Sequence, residues 1–396
     1  MPSSGTVVDR GLEGVVVGTT ALSGVEGAAG RLTFRGYDIH DVASHATYEE
    51  VCYLLLFGRL PTVAELADFT VRLAANRALP PALLHLMPTV PREARPMDVL
   101  RTFVSALELF TVEPDGERAP SSRTAISLIA KTPTIVAAWD RLRRGLEPIA
   151  PAPQLSTAAN FLYMQSGRAP IEEAERALDT YLVLLADHSY NASTFAARVT
   201  ASTRADMFAA ATSAIATLGG DLHGGAPAKV MAMLLELESP QRAEAYVRDL
   251  LARGERVMGI GHREYKVRDP RAEHLEAMAR TLGEASNPKW YLLARALEDA
   301  CDRVLGEAKP GRRLFANVEF YTAPTLYSLG IPPDTFPSLF ACSRMAGWTA
   351  HILEQHAYNR LIRPQATYSG PGSMPWMPVT RRPSGQRTPS IGDSRA

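Results

Sequence analysis

Between Ile171 and Leu185 the apolar residues Ala174, Ala177, Leu178, Tyr181, Leu182 and Leu185 recur at every third or fourth position, the spacing of a helix that buries one face. Pro170 stands at the start of this segment and Glu172, Glu173 and Glu175 fill its first turns, where carboxylates meet the positive end of the helix dipole. The same period runs through Leu66, Phe69 and Leu73, through Leu275, Met278 and Leu282, and through Trp290, Leu293, Leu297 and Val304. Strand signals are confined to GVVVGTT (14–20) and RLTFRGY (31–37), which predict one small amino-terminal β ribbon. The chain is therefore expected to be all-α apart from that ribbon.

A length of 396 residues allows two or three domains, with roughly 75% of the extended surface buried on folding. Gly and Pro interrupt the helical pattern at LGGDLHGGAP and near NVEFYTAP. This predicts a small helical domain over 225–328, inserted into a large domain made of 1–224 and 329–378. A cleft between the two would be lined by the segments at the junctions. The stretch 379–396 is rich in Pro, Gly, Ser and Arg without a period and reads as a flexible tail.

Charge is balanced, 42 basic against 42 acidic residues, so nothing global draws the chain to nucleic acid or an anionic membrane. Apolar runs such as YLLLF and YLVLLA are far shorter than the ~20 residues that span a bilayer. MPSSGTVVDR matches neither a secretion signal nor an organelle presequence, and a cytoplasmic location is expected. Cys52, Cys301 and Cys342 are too scattered for a disulfide framework or a cysteine metal site. Neither GxGxxG nor GxxxxGK[ST] occurs, which argues against a nucleotide-binding α/β fold.

Candidate chemistry gathers around three histidines and an acid: His188 in ADHSYNASTF, His223 in GGDLHGGAP, His262 in GIGHREYKVRDPR and Glu319 in NVEFYTAP. His223 lies between two glycine pairs, which permit close backbone approach to a ligand; a plain turn histidine satisfied by a carbonyl is the competing reading. His262 opens a charged run, Arg263, Glu264, Lys266, Arg268, Asp269 and Arg271, which suits either a solvated surface or an anion site built from guanidinium and backbone N–H groups. Arg344 sits among apolar and small residues in FACSRMAGW, so its charge needs an anionic partner, from the protein or from a substrate. No metal site is expected, because no pair of histidines stands beside an acid at ligand spacing and His351 and His356 fall on different helical faces.

The motifs DHSYNASTFAARV, LHGGAP, GIGHREYKVRDPR and NVEFY, in this order, with RLTFRGYDI before them and MAGWTAHILEQ and LIRPQATYSGP after them, make the chain resemble the bacterial citrate synthases, a family that includes 2-methylcitrate synthases. The resemblance covers nearly the whole chain and implies an almost wholly α-helical homodimer, each subunit having a large and a small domain. It implies an acyltransferase that condenses acetyl-CoA with oxaloacetate and water, through an enol or enolate and citryl-CoA, to citrate and CoA, with no cofactor. Carried onto matching positions, Glu319 is the base, His223 donates a hydrogen bond to the thioester oxygen and His262 serves the ketone oxygen. His188, Arg271, Arg344 and Arg363 hold oxaloacetate, Arg363 reaching in from the partner subunit. Val257, Met258, Gly259, Ile260, Gly261 and Lys266 match the stretch that receives CoA.

Three departures from the commoner family forms stand out: Glu319 replaces an aspartate, HGG is followed by Ala226, Pro227 and Ala228, and Ile260 stands between Gly259 and Gly261. A base longer by one methylene matters, since a misplacement of about 1 Å can cost on the order of a hundredfold in rate. Two alternatives stay beside the citrate synthase reading. One is a 2-methylcitrate synthase that takes propionyl-CoA; the other is a non-catalytic sensor of CoA or dicarboxylates, which would need the arginines but no base.

Overall fold

The computed structural model describes residues 11, 12, 14–111, 119–308 and 313–382. Among these are sixteen α-helices and one three-stranded antiparallel sheet. Residues 17–362 form one compact unit, and the described residues of 11–16 and 363–382 belong to a second.

The helices predicted from periodicity are present as Val63–Ala75, Glu172–Leu185, Ala272–Ala285 and Lys289–Ala308. Local chemistry sets several starts. Thr62 and Thr47 each exchange hydrogen bonds reciprocally with the glutamate three residues on, satisfying amide groups that have no partner within the helix. Two 22-residue helices, Ser122–Arg143 and Phe336–Ala357, run through the core. Both are buried over most of their circumference, which is why neither shows a one-sided apolar stripe in the sequence. Phe336–Ala357 packs on Ser122–Arg143, Ala192–Ser202, Glu172–Leu185 and Tyr48–Phe57, and it carries Arg344, Trp348 and His351 into the interior.

The sheet comprises β1 (Ser23–Glu26), β2 (Arg31–Phe34) and β3 (Tyr37–Asp38), in that order. Ser23 pairs with Phe34 and Glu26 with Arg31, and Phe34 pairs in turn with Tyr37. RLTF is thus a strand as expected, but its partner is SGVE. GVVVGTT forms no strand in its described residues: Val15, Val16 and Val17 are 46, 87 and 42% exposed. Three successive valines signal β structure only when a neighbouring strand offers pairing and cover.

Of the expected tail, 383–396 lies outside the described residues, and Val379–Arg381 forms an exposed 3₁₀ turn. No helix among the described residues is long and apolar enough to cross a membrane.

Candidate active site

His188 follows the carboxyl end of Glu172–Leu185, and the loop that carries it is pinned on two sides. The neighbouring Asp187 is fully buried; it accepts from Ser23 Oγ at 2.5 Å and lies 3.2 Å from His351 Nε2. Ser23 Oγ accepts in turn from the Ser189 amide at 2.8 Å. Burial works against the Asp187 charge, but His351 and Arg344 outweigh it and hold the carboxyl below its usual range. On the facing helix Arg344 Nε donates to the Leu185 carbonyl at 2.7 Å, so both residues are fixed to the same turn.

His262 and Glu319 are brought together by a short backbone ladder. Gly261 N donates to Phe315 O at 2.7 Å and Asn317 N to Gly259 O at 2.9 Å, while Asn317 Nδ2 reaches Gly261 O at 2.9 Å. Asn317 also caps Val318–Ser328, accepting from Glu319 N at 3.0 Å. Asp269 joins the pieces: it accepts from Arg271 Nε at 3.0 Å, from Arg271 Nη2 at 2.8 Å and from Val318 N at 3.2 Å, and lies 4.0 Å from His262 Nε2. The β1–β2 turn buttresses the His262 loop, with Gly27 O accepting from Lys266 N at 3.0 Å. A side chain at Gly27 would strike the Glu264 carbonyl.

His223 lies in the turn between Met207–Leu218 and Ala226–Leu237. That turn closes tightly, because Gly224 N donates to Leu218 O at 3.0 Å and a Cβ on Gly224 would meet that oxygen at 2.7 Å. His223 Nε2 stands 3.3 Å from the donating Ser193 amide and 2.9 Å from Ser193 Oγ. The hydroxyl is itself 2.7 Å from Asn191 Oδ1 and receives the Trp348 indole N–H at 3.2 Å.

These contacts assign protons. A backbone N–H can only donate, so His223 Nε2 accepts and the proton of the neutral ring sits on Nδ1. The order is reversed in His262, whose Nδ1 accepts from the amides of Glu264 at 3.0 Å and Tyr265 at 3.1 Å, leaving Nε2–H as the donor. Burial, helped by Arg344 at His223 and Arg271 at His262, pushes both rings down to about 4, so both are neutral at neutral pH. His188, 3.1 Å from the Tyr265 hydroxyl, is held well below the ordinary histidine range by burial and by Arg271 and Arg344. Its ring meets that of His262 edge-on at 5.9 Å. Glu319 moves the other way: burial raises its carboxyl to about 7, against the pull of Arg271 and Arg344.

Arg271 and Arg344 are 3 and 1% exposed. Arg271 is matched by Asp269, whereas burial, together with repulsion from Arg271, pushes Arg344 down to about 10 from 12.5. No carboxylate among the described residues reaches ion-pair distance of Arg344. A buried guanidinium without a carboxylate at ion-pair distance is favoured by an anion bound beside it. Of the expected CoA residues, Val257 and Gly259 are buried, Met258, Ile260 and Gly261 half-buried, and Lys266 exposed, with its Nζ donating to Arg263 O at 3.0 Å. Arg363 lies in the other unit and is exposed there.

His188, His223, His262, Arg271, Glu319 and Arg344 thus act on one another's charge in one cluster, with Arg271 and Arg344 buried and the other four half-buried. Sequence reasoning missed the residues that orient it: Asp187, Ser193, Tyr265, Asp269, Trp348 and His351. Asp187 and Asp269 stand within two positions of recognised residues, so an acid adjoining a catalytic candidate was the available signal. Trp348 and His351 arrive from a remote helix and gave none.

The citrate synthase, C-terminal domain profile matches residues 11–365. The chain belongs to the citrate synthase family. This family member is 47% identical over 380 residues to the citrate synthase of Haloferax volcanii, covering 94% of this chain and 98% of that one. It is 40% identical over 364 residues to the 2-methylcitrate synthase of Mycobacterium tuberculosis, covering 92 and 91%. Among solved structures, the ternary complex of carboxymethyl coenzyme A and oxaloacetate with the citrate synthase of Thermoplasma acidophilum superposes with a TM-score of 0.86 at 32% identity, covering 95% of this chain and all of that one. The chain is accordingly an acyltransferase of the citrate synthase family, with that family's helical fold.

Proposed function

We propose that the enzyme condenses acetyl-CoA with oxaloacetate and water to give citrate and CoA, using Glu319, His223 and His262 for the proton and charge transfers. The observation that carries this reading is the pairing of a carboxyl near pH 7 with two neutral histidines whose donating nitrogens are fixed by backbone amides. Glu319 takes a proton from the acetyl methyl while His223 Nδ1–H donates to the thioester oxygen, where negative charge develops. The nucleophilic carbon attacks the ketone of oxaloacetate, whose oxygen is polarised by His262 Nε2–H and takes up a proton through it. Water then cleaves citryl-CoA, releasing citrate and the CoA thiol. Neutral imidazoles suit this work, since a donor aimed at a forming oxyanion stabilises it without a full charge that Arg271 and Arg344 would repel.

Oxaloacetate is assigned to His188, Arg271 and Arg344, with Arg363 supplied by the partner subunit of a homodimer; CoA is assigned to Val257–Gly261 and Lys266. No cofactor enters these steps, acetyl-CoA being a substrate. The parse into a large domain, 1–224 with 329–378, and a small domain, 225–328, makes closure over oxaloacetate part of the reading, and the cytoplasm is the proposed location.

The deciding experiment follows thiol release on mixing the enzyme with oxaloacetate and either acetyl-CoA or propionyl-CoA. Acetyl-CoA is expected to give the higher kcat/KM, within the ~10–200-fold that one methylene can yield. A ratio of one or less would move the assignment to 2-methylcitrate synthase, and no thiol release with either thioester would leave a binding protein.

A further inference from the structure

Outside the candidate active site, His40, Glu273 and His274 meet at one point. His40 opens the helix Ile39–His45, its amide held by the Asp38 side chain. Glu273 and His274 lie in the first turn of Ala272–Ala285. His40 Nδ1 lies 3.0 Å from His274 Nε2 and 2.9 Å from a Glu273 carboxylate oxygen, and the donor atoms of all three residues fall within 4.8 Å of one another. Residues 234 positions apart build this site, so no local HxxxH-like pattern announces it. We propose that His40, Glu273 and His274 bind a divalent transition-metal ion of the zinc type.

Chemistry favours that occupant. Two imidazole nitrogens and a carboxylate oxygen present three lone pairs to one point. Without a metal, His40 Nδ1 can satisfy only one of its two neighbours fully, and the tautomers of the two rings decide which nitrogen donates. Zinc bonds of ~2.0–2.2 Å to nitrogen and oxygen place tetrahedral ligands about 3.3 Å apart, so small side-chain rotations seat the ion in the arrangement present. Imidazole with carboxylate suits zinc, cobalt, nickel or copper, whereas magnesium and calcium take oxygen sets. The side chains of His40 and Glu273 are 45 and 56% exposed, which leaves the ion open to solvent and its remaining positions free for water. Among the described residues, Arg176 is a cation whose charge reaches His274, and its guanidinium is engaged with the carbonyls of Ala43 and Ser44.

The site has a place in the mechanism because Arg271 immediately precedes the helix that carries Glu273 and His274. Resting on the proposed function, a metal here would tie the Arg271-bearing end of the proposed small domain to the large one and slow the closure that turnover needs.

Calorimetric titration of the full chain with zinc chloride, without substrates, tests the site itself. About one equivalent per chain is expected to bind, with His40→Ala, His274→Ala and Glu273→Gln each weakening it by at least ~10-fold and His262→Ala leaving it unchanged. Cobalt chloride should give a visible spectrum of low-coordinate, nitrogen-ligated metal that His274→Ala abolishes. No saturable binding below about 1 mM, or binding indifferent to both His40→Ala and His274→Ala, overturns the proposal. A separate arm follows thiol release at buffered free zinc: zinc should lower kcat several-fold in the natural chain and leave His274→Ala unaffected. Zinc binding that leaves turnover untouched refutes the coupling to Arg271, and loss of all turnover without zinc speaks to the proposed function alone.

Discussion

Glu319 holds its proton up to about pH 7 because the surrounding protein withdraws water from the carboxylate faster than Arg271 and Arg344 repay it. The kinetic consequence is a rate that rises as pH passes through about 7, with the limb displaced in Glu319→Asp, and a fall in kcat of at least about 10²-fold in Glu319→Gln while oxaloacetate affinity is kept. Glu319→Asp should also lose rate, because the backbone around Asn317 positions the longer side chain. Stability responds with the opposite sign. A carboxyl raised from 4.5 to about 7 on folding binds its proton more tightly in the folded state, so stability declines between those values as pH rises. Glu319→Gln removes that cost and should unfold later than the natural chain at pH 8, by up to about 3 kcal/mol, with no gain at pH 4. Denaturant midpoints at the two pH values check this, and a gain equal at both would refute ionisation as its source.

Elements place these residues through backbone contacts. The β1–β2 turn holds the His262 loop at Gly27, so Gly27→Ala should displace Glu264 and Tyr265, raise KM for oxaloacetate and lower kcat together, while Gly306→Ala, in a helix with no atom near the added carbon, serves as a control. If Gly27→Ala had normal kinetics, the buttress would be unnecessary. Amphipathic helices such as Val63–Ala75 were legible because one face, with Phe69 and Leu73, is buried while the other meets water, and Glu172–Leu185 was legible from its acidic, exposed first turn although it is buried from Ala177 onward. The core helices Ser122–Arg143 and Phe336–Ala357 show no one-sided period, since a helix buried on every side has no polar face to set it. β1 escaped notice because SGVE is short and polar, and GVVVGTT misled because β propensity says nothing of whether a partner strand exists. The site residues were readable as residue types in unusual local company. The tautomers were invisible, since they depend on amides of Ser193, Glu264 and Tyr265 that any side chain at those positions could supply.

At the scale of the whole molecule, the second unit exposes Tyr368, Met374 and Trp376, each 75% or more accessible. In the proposed homodimer, apolar side chains so exposed, in the segment that follows Arg363, would be the ones to meet the other subunit. Mixing inactive Arg363→Ala chains with inactive His262→Ala chains should restore part of the activity, because one site of each mixed dimer would hold both residues intact; subunit exchange without recovery would refute the crossing. Small-angle scattering should show compaction with oxaloacetate, since a dianion draws Arg271 and Arg344 toward it across the proposed cleft, and acetyl-CoA alone should produce none.

The amides that fix His223 and His262 have an evolutionary corollary. Instructions for where each proton resides are written in the path of the chain and in no particular letter, so mutation can pass through such positions silently while the turn survives. Glu264, an exposed residue in the middle of the His262 loop, should therefore accept alanine with turnover and pH profile unchanged, although its own N–H belongs to the catalytic apparatus.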